Sequence, residues 1–410
     1  MALLLDAKEL ARYTQTVGAL GMRRDGKVAA NVLAFHARKA RASKNGKVQH
    51  AAMHTCMKQL RKRVAAGEIA KPISVKAAEH GGPTNFAAWL SPAPAKERLR
   101  PIAKCKRIKG GISKWDLHWM EGPQVVCYER AAGRIKAERP RCRGRPFTRR
   151  LLRSTELQTA VASAGDHRVL LAPGKAPRFL SVGEEARAMD VPAASSLTGM
   201  LMGTACGTPR QAVIALGGAV HVGVGRCIVR ELMQRKWLKR GARYGSAYSG
   251  IDTFAAAMEA ELGAQFKYVF ASEHEERLRR ALVCAWGGHG LKATHVYDDA
   301  EGEAATHAPR VDLYVCTAVC DPHSKHNRQR SEETQMEGME GVERALRYVE
   351  NRRPAIVVAE NVNEASVVGP LGAMLRRLEG YEWEEGVLDA LTTARVPVSR
   401  ERYFWIGRRV

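Results

Sequence analysis

No run of apolar residues in the chain approaches the roughly 18 that a membrane-crossing helix needs. The opening decapeptide MALLLDAKEL turns polar too early for a secretory leader. These absences lead to the expectation of an intracellular protein, nuclear or cytoplasmic, neither secreted nor embedded in a membrane. Cysteine is present without pattern. The nine residues are odd in number and form no CxxC pair, which argues against a disulfide framework and against a zinc ribbon. Most read as small buried hydrophobes. His54 and Cys56 have no partners at the spacing of a metal site, and no metal is expected. At 410 residues, 45% of them hydrophobic, the chain has length for two or three domains and apolar material for a large core.

Acid is scarce in one region alone. Residues 1–153 hold 34 Lys and Arg against 10 Asp and Glu, whereas the remainder holds 32 of each. The whole formal charge of +24 therefore sits in an N-terminal arm joined to a neutral body. Such an arm suits a polyanionic partner, because every phosphate it neutralises releases counterions. A solvated basic face or a localisation signal has the same composition. Residues 6–66 contain no proline and carry apolar positions at helical spacing (Leu10, Tyr13, Val17; Val28, Val32, Leu33, His36). That spacing predicts two or three helices in a basic, nucleic-acid-binding region over 1–90. Prolines from Pro83 to Pro101 mark a linker. The basic stretch beyond it interleaves Trp115, Trp119, Tyr128 and Phe147, and its alternation around WDLHWMEGPQVVCYE predicts short strands. Linker and strands make a second region, 91–176. Within it, Arg143-Gly144-Arg145-Pro146 resembles the core of an AT-hook, whose arginines enter a narrow minor groove, although in so basic a region an ordinary basic loop gives the same tetrad more readily.

From residue 243 the pattern becomes short apolar runs alternating with amphipathic helices, which predicts a doubly wound α/β domain with a mostly parallel sheet. Strands are expected at 242–248, 268–271, 312–317, 355–359 and 403–406, and helices at 253–262, 275–286, 332–352 and 371–378. Ligands of such a sheet gather at the carboxyl ends of its strands. There, Tyr248-Ser249-Gly250-Ile251-Asp252-Thr253-Phe254 runs from strand to helix through a turn that lets backbone approach a ligand. Glu273 ends the second strand, where a carboxylate can accept both ribose hydroxyls. Cys316 lies within a strand and reads as structural. Cys320 lies on the loop after it and is the better nucleophile. Glu360-Asn361-Val362 closes the next strand, and Arg400 and Arg402 are expected on one face of the last at period two.

This ordered series resembles the motifs of the cytosine C5 methyltransferase family. The Ser-Gly turn is similar to its FxGxG loop, Cys320 to its PCQ nucleophile, Glu360 to Val362 to its ENV, and Arg400 to Arg402 to its QxRxR. The closing motifs stand upstream. Arg178 to Arg187 resembles RxLTxREAARLQ, and Ala215 to Val220, with Gly217, resembles IGNAV, after a stretch from Leu157 to Pro173 similar to the end of a recognition domain. The resemblance therefore implies a circular permutation with closing motifs over 177–240 and a Rossmann-like, class I S-adenosylmethionine-binding catalytic domain over 241–410. It implies methylation of cytosine C5 through a covalent Cys320 adduct on a flipped base. Glu360 supplies a proton or strong hydrogen bond at N3, and Arg402, with Arg400 behind it, holds the base carbonyl and backbone. Cofactor contacts fall to Tyr248, Ser249, Gly250, Ile251, Phe254, Glu273, Asp299, Gly217 and Val220. Ser324, Asn361, Arg143 and Arg145 are expected to face nucleic acid. The expected partner is DNA rather than RNA, and the expected state a monomer.

Four positions depart from the family pattern: Val319 for proline, Asp321 for glutamine, Val398 for glutamine and Gly218 for asparagine. Asp321 beside the nucleophile disfavours a thiolate. A catalytically silent nucleic-acid-binding relative and a tRNA cytosine C5 methyltransferase therefore stand as alternatives. The charge asymmetry generates a test independent of any resemblance. Truncation at about residue 90 should weaken nucleic-acid binding alike for all sequences and flatten its salt dependence in a filter-binding titration. An unchanged salt slope would make the arm a localisation or partner-binding element.

Overall fold

The computed structural model describes residues 71–76, 178–203, 205–300, 306–320, 322–323, 331–396, 398 and 400–410, with short strands between 100 and 171. The helices expected over 6–66, most of the linker, Trp115, Trp119, Phe147, Arg143 and Arg145 lie outside the described residues. The chain divides into two compact units, one of residues 75–300 and 389–400, the other of 1–74, 301–388 and 401–410. The segment 177–240 thus shares a unit with 241–300, and the expected catalytic domain over 241–410 contributes to both.

The first unit opens with a sheet of six short strands in the order Arg100–Pro101, Arg178–Phe179, Asp166–Leu171, Gln124–Glu129, Arg134–Lys136, Arg107–Lys109. Gln124–Glu129 falls inside the segment whose alternation predicted strands. Four helices follow: α1 (Val182–Ala188), α2 (Ser196–Met202), α3 (Pro209–Gly218) and α4 (Val222–Gln234). α1 starts at a capping box, with Ser181 Oγ accepting from the Glu184 amide at 3.1 Å and a Glu184 carboxylate oxygen accepting from the Ser181 amide at 2.8 Å. The α/β part is β1 (Arg243–Ala247), α5 (Thr253–Leu262), β2 (Lys267–Ser272), α6 (Glu276–Trp286) and β3 (Val296–Tyr297), with β1 parallel to β2 and β2 to β3. α4 packs on α5, where Glu261 accepts from Arg226 and Arg230 at 2.8 and 2.7 Å. Gly225 permits that approach, since a Cβ there would lie 3.0 Å from the Ala257 methyl.

The second unit runs β4 (Leu313–Cys316), α7 (Glu332–Arg352), β5 (Ile356–Asn361), α8 (Ala365–Arg377), β6 (Tyr381–Asp389) and β7 (Glu401–Arg409). Its strand order is β4-β5-β7-β6, with Lys71–Pro72 parallel to β6 at the edge. β5 is buried at every residue, as its Ile-Val-Val-Ala run requires, and pairs parallel with β4 and antiparallel with β7. The fold is α/β of the doubly wound kind, with strands mostly parallel and the last inserted antiparallel.

Three differences from the sequence expectations have physical causes. α8 begins six residues before the expected 371, carrying Pro370 inside it, because Val367, Val368, Leu371 and Leu375 are all buried on one face. That burial offsets a proline penalty of about 3 kcal/mol. β6 was not expected, because Tyr-Glu-Trp-Glu-Glu reads as solvent-facing. Its buried Glu385 is neutralised by Arg376 at 2.8 Å. β1 carries a bulge between Tyr244 and Gly245, and a side chain at Gly245 would overlap the Phe270 ring. Gly245→Ala should therefore cost about 1–3 kcal/mol in urea unfolding, and a neutral result would mean that Phe270 yields freely.

Candidate active site and cofactor turn

The turn after β1 is built from strained backbone. Tyr248, Gly250 and Asp252 have φ of 55°, 57° and 49°, the left-handed region, which a non-glycine residue occupies at a cost of about 1 kcal/mol or more. Hydrogen bonds hold it there. The Ser249 amide donates to Ser272 O at 2.9 Å and the Asp252 amide to Ser249 O at 2.7 Å. Glu273 accepts through one oxygen from the Gly250 amide at 2.8 Å and through the other from the Glu275 amide at 2.9 Å. The expected ribose acceptor is thus also the clasp of the turn. Nothing lies within 4 Å of where a Gly250 side chain would stand, so the turn presents backbone to open space. Asp299 is exposed just beyond β3. The side chains of Ile251 and Phe254 are core instead: both are buried, and Phe254 stacks on Tyr244 with the ring planes 1° apart. Only their backbone is left for the ligand contact expected of them.

The segment resembling the family's closing motif is fastened to the same turn. Val220 O accepts from Thr253 Oγ1, at the start of α5, at 2.6 Å. Arg400 Nη2 donates to Gly217 O at 2.8 Å and Ala219 O at 2.7 Å. This corrects the expectation that Arg400 and Arg402 share a strand face. β7 starts at Glu401, Arg400 precedes it, and its 2%-exposed guanidinium serves the backbone of the closing segment.

In the second unit β4 ends at Cys316, whose thiol burial pushes up to about 12, as suits an inert core residue. Cys320 is half-buried on the loop beyond, next to an exposed Val319. Asn361 pins that loop from the end of β5, with Nδ2 donating to Ala318 O at 3.2 Å and Oδ1 accepting from the Val362 amide at 2.8 Å. Asn361 is 1% exposed, so its amide is engaged with protein backbone and not directed to solvent. Glu360 pairs with Arg402, Oε1 to Nε at 3.1 Å. Loop anchor, carboxylate and arginine are therefore gathered at neighbouring positions of β5 and β7. Ser324 lies outside the described residues.

His323 was missed. Its amide closes a turn on Cys320 O at 3.0 Å, and its buried ring sits with Nδ1 3.3 Å from Ser366 Oγ. The sequence signal was its place three residues after the thiol, but nothing there marked the ring as buried.

No family model matches the chain, and no curated protein matches it. Solved structures do. TrmN from Thermus thermophilus is 14% identical over 60% of this chain and 57% of that one, with a TM-score of 0.32. The Dnmt2 methyltransferase of S. pombe is 20% identical over 41% and 51%, at 0.30. NSun6 from Pyrococcus horikoshii, with SFG, is 12% identical over 46% and 51%, at 0.34. The chain matches little more than half the length of each.

Burial lowers the His323 pKa from its ordinary 6.5. The unfolded chain then binds the proton more tightly, so His323 stabilises nothing extra above pH 6.5 and costs stability as pH falls through the folded value. His323→Gln should remove that part of the acid-side loss when urea unfolding at about pH 7.5 and about pH 5.5 is compared with wild type. An identical pH slope in both proteins would place the ring in solvent.

Proposed function

We propose that the chain is an S-adenosylmethionine-dependent cytosine C5 methyltransferase of nucleic acid, DNA in preference to RNA, with its motifs circularly permuted. The observation that carries this is the gathering on β5 and β7 of the Glu360–Arg402 pair and the Asn361 anchor of the Cys320 loop. Glu360 and Asn361 resemble one motif of the family, Arg402 a second and Cys320 a third, and a common reaction requires such groups to be brought together. The permutation is supported by the Thr253 and Arg400 bonds that fasten residues 217–220 beside the cofactor turn. An intracellular location and a basic arm that clamps phosphates belong to the same reading.

The turn fits such a cofactor. Gly250 offers an unobstructed backbone, Glu273 a buried carboxylate with lone pairs beyond those its amide donors use, and α5 an N-terminus beside them. When bound, the cofactor supplies an electrophilic methyl group. The chain's own residues prepare the base. Cytosine C5 is a poor nucleophile, so the Cys320 thiolate adds at C6 and leaves an enamine whose electron density lies on C5. Glu360 meets the charge that builds toward N3, with Arg402 holding the carboxylate in place and its remaining N–H groups available to the base carbonyl. The base reaches these groups only when turned out of its stack, at a cost of a few kcal/mol that phosphate contacts offset.

One feature favours a silent relative: Asp321 follows the thiol and disfavours its ionisation. Transfer of labelled methyl to duplex DNA, single-stranded DNA and tRNA in parallel decides between the readings. Wild type should label DNA. Cys320→Ala should abolish transfer while S-adenosylmethionine affinity stays within about threefold, and Glu273→Ala should weaken that affinity about tenfold or more. Labelling by Cys320→Ala, or label on tRNA alone, would overturn the mechanism or the substrate respectively.

A further inference from the structure

Laid on Tyr248-Ser249-Gly250-Ile251-Asp252, the FxGxG pattern puts Asp252 where the second glycine would stand. The backbone there is left-handed, φ 49° and ψ 69°, which glycine adopts freely and aspartate only at some cost. The side chain that accompanies this cost is 5% exposed and fully engaged. Oδ1 accepts from Tyr244 OH at 2.8 Å and the Ala255 amide at 2.9 Å. Oδ2 accepts from Ser246 Oγ at 2.7 Å and from Tyr268 OH. Ser246 Oγ lies 2.6 Å from Ser249 Oγ, which accepts from the Ser272 amide at 3.2 Å. A continuous chain of hydrogen bonds thus runs from the Asp252 carboxylate to both ends of the turn and to the last residue of β2.

We infer that Asp252 is the positioning residue of the cofactor turn: its buried carboxylate, gripped by Tyr244, Ser246, Tyr268 and the α5 N-terminus, holds Gly250 and Ser249 in place. This rests on the turn being the S-adenosylmethionine site. The donor inventory gives the carboxylate its role. Three hydroxyls and an amide point at one residue, and burial keeps both phenols protonated and donating. A carboxylate has acceptor sites for all of them, whereas an asparagine has one oxygen and would turn an NH2 toward donors. Burial pushes the Asp252 carboxyl up from its ordinary range, and the hydrogen bonds from Ser246, Tyr268, the Ala255 amide and Tyr244 oppose that shift. Displacement of Asp252 would shift Gly250, whose amide donates to Glu273, and so unseat the ribose acceptor too.

Asp252→Gly in the full chain separates the carboxylate from the backbone, because glycine meets φ 49° without strain. Its affinity for S-adenosylmethionine by calorimetry should fall about tenfold, the cofactor KM should rise while kcat holds, and amide exchange should quicken at residues 249–252. Orphaned phenols could unfold that variant, so Asp252→Gly with Tyr244→Phe and Tyr268→Phe provides the control. The triple variant should regain thermal stability without regaining affinity. Wild-type affinity and exchange in either folded variant would overturn the inference. Failure of the wild-type protein to bind S-adenosylmethionine would overturn the cofactor reading instead, and exchange in the free protein would still decide whether Asp252 holds the turn.

Discussion

A carboxylate just beyond β2 holds an amide just beyond β1, and the turn between β1 and α5 depends on that bond. Glu273 and Gly250 are 23 positions apart, and the 2.8 Å contact between them closes a βαβ unit at the end where a parallel sheet presents its ligand crevice. The turn contains three left-handed residues, two of them not glycine, and would relax if its amides were released. It is held from two sides. Glu273 takes the amide of Gly250, and the Asp252 network takes the helix side. Neither carboxylate is tolerable in an apolar core unless its lone pairs are filled, so each fixes its donors as firmly as they fix it.

Loop backbone held by a buried polar side chain recurs in both units. Asn361 spends its amide group on Ala318 O and the Val362 N–H, fixing the Cys320 loop against β5. An ENV sequence at a strand end marks the asparagine as a candidate for binding nucleic acid. The geometry gives it a prior task, because an amide that is 1% exposed and satisfied by backbone has little left for a ligand.

How far the sequence could be read follows from which signals are local. Helices Thr253–Leu262 and Glu332–Arg352 match the expected limits, because each has a side-chain cap and a left-handed residue at its boundary. β5 was legible as an unbroken apolar run. β6 was not, because Glu385 is buried only by pairing with Arg376 near the end of α8, a contact that depends on how helix and strand pack and that alternation of residue types does not announce. Glu273, Cys320, Glu360 and Arg402 were legible as candidates by residue type at or near strand ends. Asp252 was hidden inside a motif match, and His323 was hidden by its own burial.

Arg400 shows where periodicity misleads about chemistry. Two arginines at period two share a face only if both lie in the strand, and β7 begins one residue too late. Arg402 therefore meets Glu360, while Arg400 donates to two carbonyls of residues 217–219, 181 and more positions away. A guanidinium is suited to this, since Nη2 alone carries two N–H donors, one for each carbonyl, and the group stays charged when buried. The consequence bears on the order of the motifs. Segment 217–220 is held by Arg400 Nη2 and the Thr253 hydroxyl, contacts made in space and indifferent to which segment comes first in the chain. The permuted order proposed above asks only that such contacts be made, whichever segment comes first.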